Sequence, residues 1–295
     1  MGINARGGVA LAQAIIYIPI LCMSAILVAR HGFKRRAGWV FLLILSLVRI
    51  VGGGIHVASE LQSDPNKTLV TIFTILEGVG LSPLMLATLG FLSTVGQGLT
   101  DSRRLFQGLH VLGILSSVAL ILTVVGGINL GDAKTQDDVD SATKYRHIGG
   151  ILFLVLFVLV TLLHGYFWSL KNQILVHRRT LLAGISTVLP FLFIRTMYGV
   201  LSAFSPASVP GTTSSHNSLS KFSSSTGSWQ IYLVVSCLPE LVTVLIYLVV
   251  GTRVPLEKDF SQTDMRGSVE EGSRGAQNPQ VPAAVYYHLK PSWSR

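Results

Sequence analysis

Charge is scarce in this 295-residue chain. Only 13% of its residues are Asp, Glu, Lys or Arg, about half the share of an ordinary soluble domain, which runs near 25%. Much of the chain therefore cannot face water, and a mean hydropathy of +0.56 agrees. Cysteine is nearly missing too. Cys22 and Cys237 both fall inside apolar runs, so neither can join two external loops. A disulfide framework and a cysteine-based metal site are excluded, and small apolar packing residues remain. Several sequence signatures are also absent. The last apolar run, from Trp229 to Val250, holds no lysine for a retinal Schiff base and no histidine for a seven-helix zinc hydrolase. The places where many seven-helix receptors carry Asp/Glu-Arg-Tyr and Asn-Pro-x-x-Tyr read TDSRRLF and LPELVTVLIY here. No G-x-S-x-G, phosphate-binding loop or Cys/His cluster occurs. The expectation is a protein that is not an enzyme and needs no cofactor.

Long apolar runs are what the chain has in abundance. A helix needs roughly 20 apolar residues to cross a hydrocarbon core about 30 Å thick. Seven stretches qualify: Val9–Ala29, Gly38–Ser59, Thr68–Thr94, Leu105–Leu130, Ile148–Leu170, Thr180–Phe204 and Trp229–Val250. They are two to three times the length of a barrel strand and lack strict alternation, which disfavours a membrane barrel. The first is longer than the hydrophobic region of a signal peptide. No small-residue cleavage site follows it, so it reads as a retained helix. The expected fold is all-α: a seven-transmembrane bundle over residues 1–252, then a disordered tail over 253–295.

Basic residues gather on alternate connections. Arg30, Lys34, Arg35 and Arg36, then Arg103 and Arg104, then Lys171, Arg178 and Arg179 lie on one side. Arg6, Lys67, Lys134, Lys144, Arg146 and Lys221 lie on the other, with the acidic run Asp132, Asp137, Asp138, Asp140. Positive charge tends to stay cytoplasmic. The N-terminus is therefore expected outside and the C-terminus and tail in the cytoplasm, where the tail is available to a cytoplasmic partner. Asn66-Lys67-Thr68 is then an external N-glycosylation sequon, though one close to the membrane. The net charge of +9 sits at span ends and in the tail, which fits attraction to membrane lipid headgroups. No basic stripe with interleaved aromatics points to nucleic acid. The plasma membrane is the favoured location. The sixth connection, SPASVPGTTSSHNSLSKFSSSTGS, reads as a flexible tether, or as a lid over an external mouth.

Four charges lie deep in the spans: Arg49, Glu77, Arg195 and Glu240. A charge at mid-bilayer costs about 3 kcal/mol on insertion scales and more in other treatments. Two acids and two bases suggest internal pairing, with Arg49 meeting Glu77 or Glu240. Helical spacing supports this. Ser46, Arg49, Gly53, His56 and Glu60 share a face of the second span. Thr74, Glu77, Gly80 and Pro83 share one of the third. Arg195, Tyr198, Gly199 and Ser202 line up in the sixth, and Ser236, Glu240, Thr243 and Tyr247 in the seventh. Gly52, Gly53 and Gly54 would admit a neighbouring helix. Pro83, Pro190 and Pro239 would each free a backbone carbonyl and bend their helix. Arg49, Glu77, Arg195 and Glu240, with His56 and Tyr198, are the candidate ligand-binding residues. They would line a polar cavity, or simply staple helices together. The histidines are too scattered to share a metal. A short match between LVRIVGGGI and FIRTMYGVL, each with a glutamate in the following span, raises a parallel repeat of spans one to three and five to seven.

The segments SLVRIVGGGIH, ILEGVGLSPLMLATLG, FIRTMYGVLSAF and SCLPELV resemble a family of fungal seven-transmembrane proteins of uncharacterised function. In topology the chain is more distantly similar to fungal lipid-translocating exporters. The resemblance covers about Val9 to Thr252. It implies a fungal source and seven helices, and carries over no catalytic residues. Three functions follow as expectations: transport or sensing of a small lipophilic ligand, a receptor signalling to the cytoplasm, or a non-catalytic scaffold.

Overall fold

A computed structural model describes residues 4–31, 38–62, 67–97, 102–206, 218–223 and 227–253. The chain divides into a unit Met1–Val254 and a second unit Pro255–Arg295. The second unit lies outside the described residues, as do Asn66 and the expected tail apart from Arg253, which is the last residue of the final helix.

Among the described residues the first unit is built of helices alone. They are α1 (Ala5–His31), α2 (Trp39–Leu61), α3 (Lys67–Val79), α4 (Leu81–Gly96), α5 (Ser102–Asp132), α6 (Gln136–Ser169), α7 (Val176–Ala203), α8 (Trp229–Ile231) and α9 (Leu238–Arg253). A π-helical segment, Tyr232–Cys237, joins α8 to α9. Together they make seven helical runs long and apolar enough to cross a membrane. Neighbours in sequence pack side by side, α9 also packs on α7 and α1, and α4 touches α2, α5, α6 and α7. The helix α4 is thus the central one. It buries all of its residues except Leu86 and Gly90. The outward faces carry Ile18, Ile26, Val51, Val111, Ile121, Leu162 and Val234, all exposed, as a helix surrounded by lipid tails permits.

The spans run longer than their apolar cores suggest. The fifth begins at Gln136 rather than Ile148, about three turns earlier. Its start is a capping box. The Thr135 hydroxyl accepts from the Asp138 N–H, and the Asp138 carboxylate accepts from the Thr135 N–H. The acidic run read as loop is therefore partly the first turns of α6, where Asp137 and Asp138 complement the helix dipole. Part of the sixth connection is also ordered. Ser218–Phe222 forms a 3-10 turn against α7, and Phe222 packs with Tyr198, Tyr232 and Cys237. The remainder of that connection, 207–217 and 224–226, lies outside the described residues.

Prolines act unequally. Pro83 has no N–H for the Val79 carbonyl, and the third span is interrupted at Gly80, between α3 and α4. Pro239 likewise leaves the Val235 carbonyl without its α-helical donor, and the π-helical segment ends two residues before it. Pro190 lies inside an unbroken α7. The three glycines of α2 also differ. A Cβ on Gly53 would press on the Ala10 carbonyl oxygen at 2.8 Å and on Ala14 Cβ at 2.9 Å. At Gly52 the nearest atom is at 3.5 Å, and Gly54 faces open space. Of the three, Gly53 is the one that lies at the close approach of α1 and α2.

Gly53→Ala is expected to destabilise the detergent-solubilised protein by about 1–3 kcal/mol, because backbone must move to admit the methyl. Gly54→Ala is expected to stabilise it by about 0.5–1 kcal/mol through helix propensity. Thermal unfolding of both variants checks the contrast. Equal effects would remove the role given to Gly53.

Candidate functional site

Four helices bring polar atoms to one point near mid-span. From α9, Glu240 is fully buried. Arg49 of α2 grips it with two donors, Nε on Oε1 and Nη2 on Oε2. Arg195 of α7 donates from Nε to Oε2 at 3.1 Å. The Tyr17 hydroxyl of α1 donates to Oε1 at 3.0 Å. A carboxylate offers about four lone-pair sites, so Glu240 is saturated. Arg49 is 5% exposed, Arg195 2% and Tyr17 1%. Breaking such a buried pair by deleting one partner leaves a bare charge and costs about 3–5 kcal/mol.

Glu77 enters this cluster by its backbone. Its carbonyl oxygen accepts from Arg195 Nη2 at 3.2 Å. The carbonyl lies in the last turn of α3, among the groups a helix end leaves without an internal partner and at the negative end of its dipole. The Glu77 side chain is 3% exposed, and neither carboxylate oxygen has a hydrogen-bond partner among the described residues. Arg6, Arg49 and Arg195 are all near enough to act on it electrostatically. The break that frees the carbonyl also admits the arginine. A Cβ on Gly80 would fall on Arg49 Nη2 and 2.8 Å from its Cζ, so the guanidinium occupies the space a side chain would take.

The other candidates fall around this centre. Tyr198 is 2% exposed. Its ring lies 5.9 Å from Arg195 Cζ and 6.3 Å from the ring of Tyr232, close enough to line the same region. His56 is not part of the cluster. It sits toward the C-terminal end of α2, with its ring 3.9 Å from that of Phe73 and Nε2 3.4 Å from Glu60 Oε1. That distance allows an ion pair with a charged ring, but the orientation does not make a hydrogen bond. Of the two partners expected for Arg49, the geometry shows Glu240 and not the Glu77 carboxylate. Both arginines go to Glu240, because the interruption at Gly80 turns the Glu77 carbonyl, not its carboxylate, toward Arg195. Among the described residues no three His, Cys, Asp or Glu side chains converge as metal ligands would.

A contribution of the first span was missed. Gln13 and Tyr17 stand four residues apart on α1, and that spacing was the available signal. Gln13 Oε1 accepts from Tyr232 at 3.3 Å and faces Cys237 Sγ at 3.7 Å. Nearer the N-terminal end, Arg6 lies over the Tyr232 ring at 5.6 Å and donates from Nη2 to the Ser223 carbonyl at 3.3 Å. A polar track thus runs from that end of the bundle inward to Glu240. Beyond the cluster the packing turns aromatic. Trp39, Phe91 and Tyr247 pack in series as tilted rings with successive centroids 4.5 Å apart, and the Tyr247 hydroxyl meets Thr88 at 2.7 Å.

These features define a multi-pass helical membrane protein with a charge cluster at its centre. The chain matches DUF7702, a domain of unknown function, over residues 3–257, and it belongs to that family. No curated protein and no solved structure matches it.

A double-mutant cycle on Arg49→Ala and Glu240→Ala is expected to show at least about 1 kcal/mol of coupling in detergent unfolding, in the range for contacting groups. The cycle on Arg49→Ala and Glu77→Ala is expected to show less. The opposite ranking would return Arg49 to Glu77. Tyr17→Phe is expected to cost about 1.5–3 kcal/mol, as for other hydrogen bonds to a charged group.

Proposed function

We propose that the protein handles a small lipophilic molecule inside the bundle, moving it across the membrane or sensing it, without catalysis. The observation that carries this reading is the unequal use of two buried acids. Glu240 accepts hydrogen bonds from three side chains, whereas the Glu77 carboxylate accepts none among the described residues. Charges that served only to join helices would both be engaged, since an unpaired buried carboxylate is costly. Glu77 is available for a guest. Tyr198 and Tyr232 offer the apolar and aromatic surface beside it, and lipid is the medium from which the guest enters.

The saturated Arg49–Glu240–Arg195 arrangement favours a second reading, a scaffold in which the cluster secures assembly alone. Flux in reconstituted vesicles separates the two. With a panel of lipophilic fluorescent probes, the protein is expected to produce saturable movement or binding that Glu77→Gln and Tyr198→Phe reduce. Retention of every phenotype by Glu77→Gln would favour the scaffold. A cytoplasmic protein recovered only when probe is present would favour sensing over transport.

The distribution of Lys and Arg supports an external N-terminus and a cytoplasmic C-terminus. Lys134, between α5 and α6, and Lys171, after α6, are both exposed at opposite ends of that helix. In a background lacking Cys22 and Cys237, Lys134→Cys is expected to react with an impermeant thiol reagent on intact cells. Lys171→Cys is expected to react only after permeabilisation. The reverse pattern would invert the topology.

A further inference from the structure

We propose, resting on the ligand-handling reading above, that the Glu77 carboxylate recognises an uncharged hydrogen-bond donor on the lipophile, and specifically a hydroxyl group. An ionised carboxylate is an acceptor with no donor of its own. Both oxygens of Glu77 are buried and unpartnered among the described residues, so what satisfies the ionised form must bring a proton to share. Water and a ligand hydroxyl share this chemistry, and only the second places a lipophile there.

The charges around Glu77 decide the class of donor. Arg6 acts on it from α1, Arg49 from α2 and Arg195 from α7, against the single negative charge of Glu240 from α9. The surroundings of the carboxylate therefore carry a positive excess. An ammonium or quaternary amine would add to that excess with no water to screen it. An anion would meet both Glu77 and Glu240 at short range. A neutral hydroxyl meets neither penalty.

Apolar and aromatic side chains lie beside the carboxylate for the body of the lipophile. Tyr198, Tyr232 and Cys237 form a small cluster of their own, separate from the main core, with Val9, Phe222 and Leu233 packed against it. Tyr198, Tyr232 and Cys237 are within electrostatic range of Glu77. Head group and body thus have adjoining places, one acidic and one aromatic.

The test uses the full-length protein in lipid nanodiscs with three probes of one chain length: 1-dodecanol, methyl dodecyl ether and dodecyltrimethylammonium. Dodecanol is expected to raise the unfolding temperature with a midpoint concentration about ten-fold lower than the ether, the ratio expected for one hydrogen bond to a charged acceptor. The ammonium is expected to bind no better than the ether. In Glu77→Gln the gap between alcohol and ether is expected to close. Infrared difference spectra provide a readout that needs no variant: dodecanol, and not the ether, should shift a buried carboxylate band of the wild-type protein. Equal midpoints for alcohol and ether, a gap that survives Glu77→Gln, or preference for the ammonium would overturn the proposal while leaving ligand handling in place. Absence of saturable binding by any of the three, with no carboxylate shift, is the signature of a hydrated acid and would overturn both.

Discussion

One carboxylate organises this bundle. Glu240 holds two arginines and a tyrosine drawn from three other helices. In lipid, helices gain nothing by hiding apolar surface from one another, so association depends on close packing and polar contacts. A shared acid at mid-depth supplies the polar part and fixes the rotation of α1, α2, α7 and α9 about their axes. Local features then follow from it. Gly80 has no side chain because Arg49 lies there. The interruption beside it turns the Glu77 carbonyl to Arg195. The π-helical segment and Pro239 precede Glu240 directly, resetting the face on which the acid emerges.

The molecule is asymmetric along its length. Toward the end where α1 begins, the interior is polar, with Arg6, Gln13, Tyr232 and Tyr198 leading to the acids. Toward the end where α9 finishes, Trp39, Phe91 and Tyr247 fill the centre around α4. The interior is thus polar toward one end and densely aromatic toward the other. The 3-10 turn Ser218–Phe222 packs at the polar end, so part of the sixth connection belongs to the bundle and not to a free tether.

Span number and inward faces were legible in the sequence because lipid imposes a strong length and polarity filter. The stripe Ser236, Glu240, Thr243, Tyr247 is buried throughout, and so are Ser46, Arg49, Gly53 and His56. Pairing was less legible. Arg49 had two acids at similar depth, and periodicity alone cannot say which helix lies beside which. Breaks in helices were anticipated at prolines, but their effect depends on neighbours: Pro83 and Pro239 sit beside disrupted turns, whereas Pro190 does not. Tyr17 escaped notice because an uncharged residue in an apolar run gives no cost signal, although Gln13 shares its face. Polar helix starts such as that of α6 were hidden by the same filter, since hydropathy marks the membrane core and not the capping box outside it.

The separation of Arg49 from Glu240 has a consequence for biogenesis. The partners stand 191 residues apart, with the acid in the final span. At about 5–20 residues per second, ribosomes leave the second span waiting on the order of tens of seconds for its counter-ion. During that interval a guanidinium sits in or near the translocon without its partner, and Arg195 joins it before the seventh span emerges. The nascent bundle therefore closes last around its C-terminal helix. A chain cut short between Arg195 and Glu240 presents two arginines without their shared carboxylate to the quality-control machinery of its membrane.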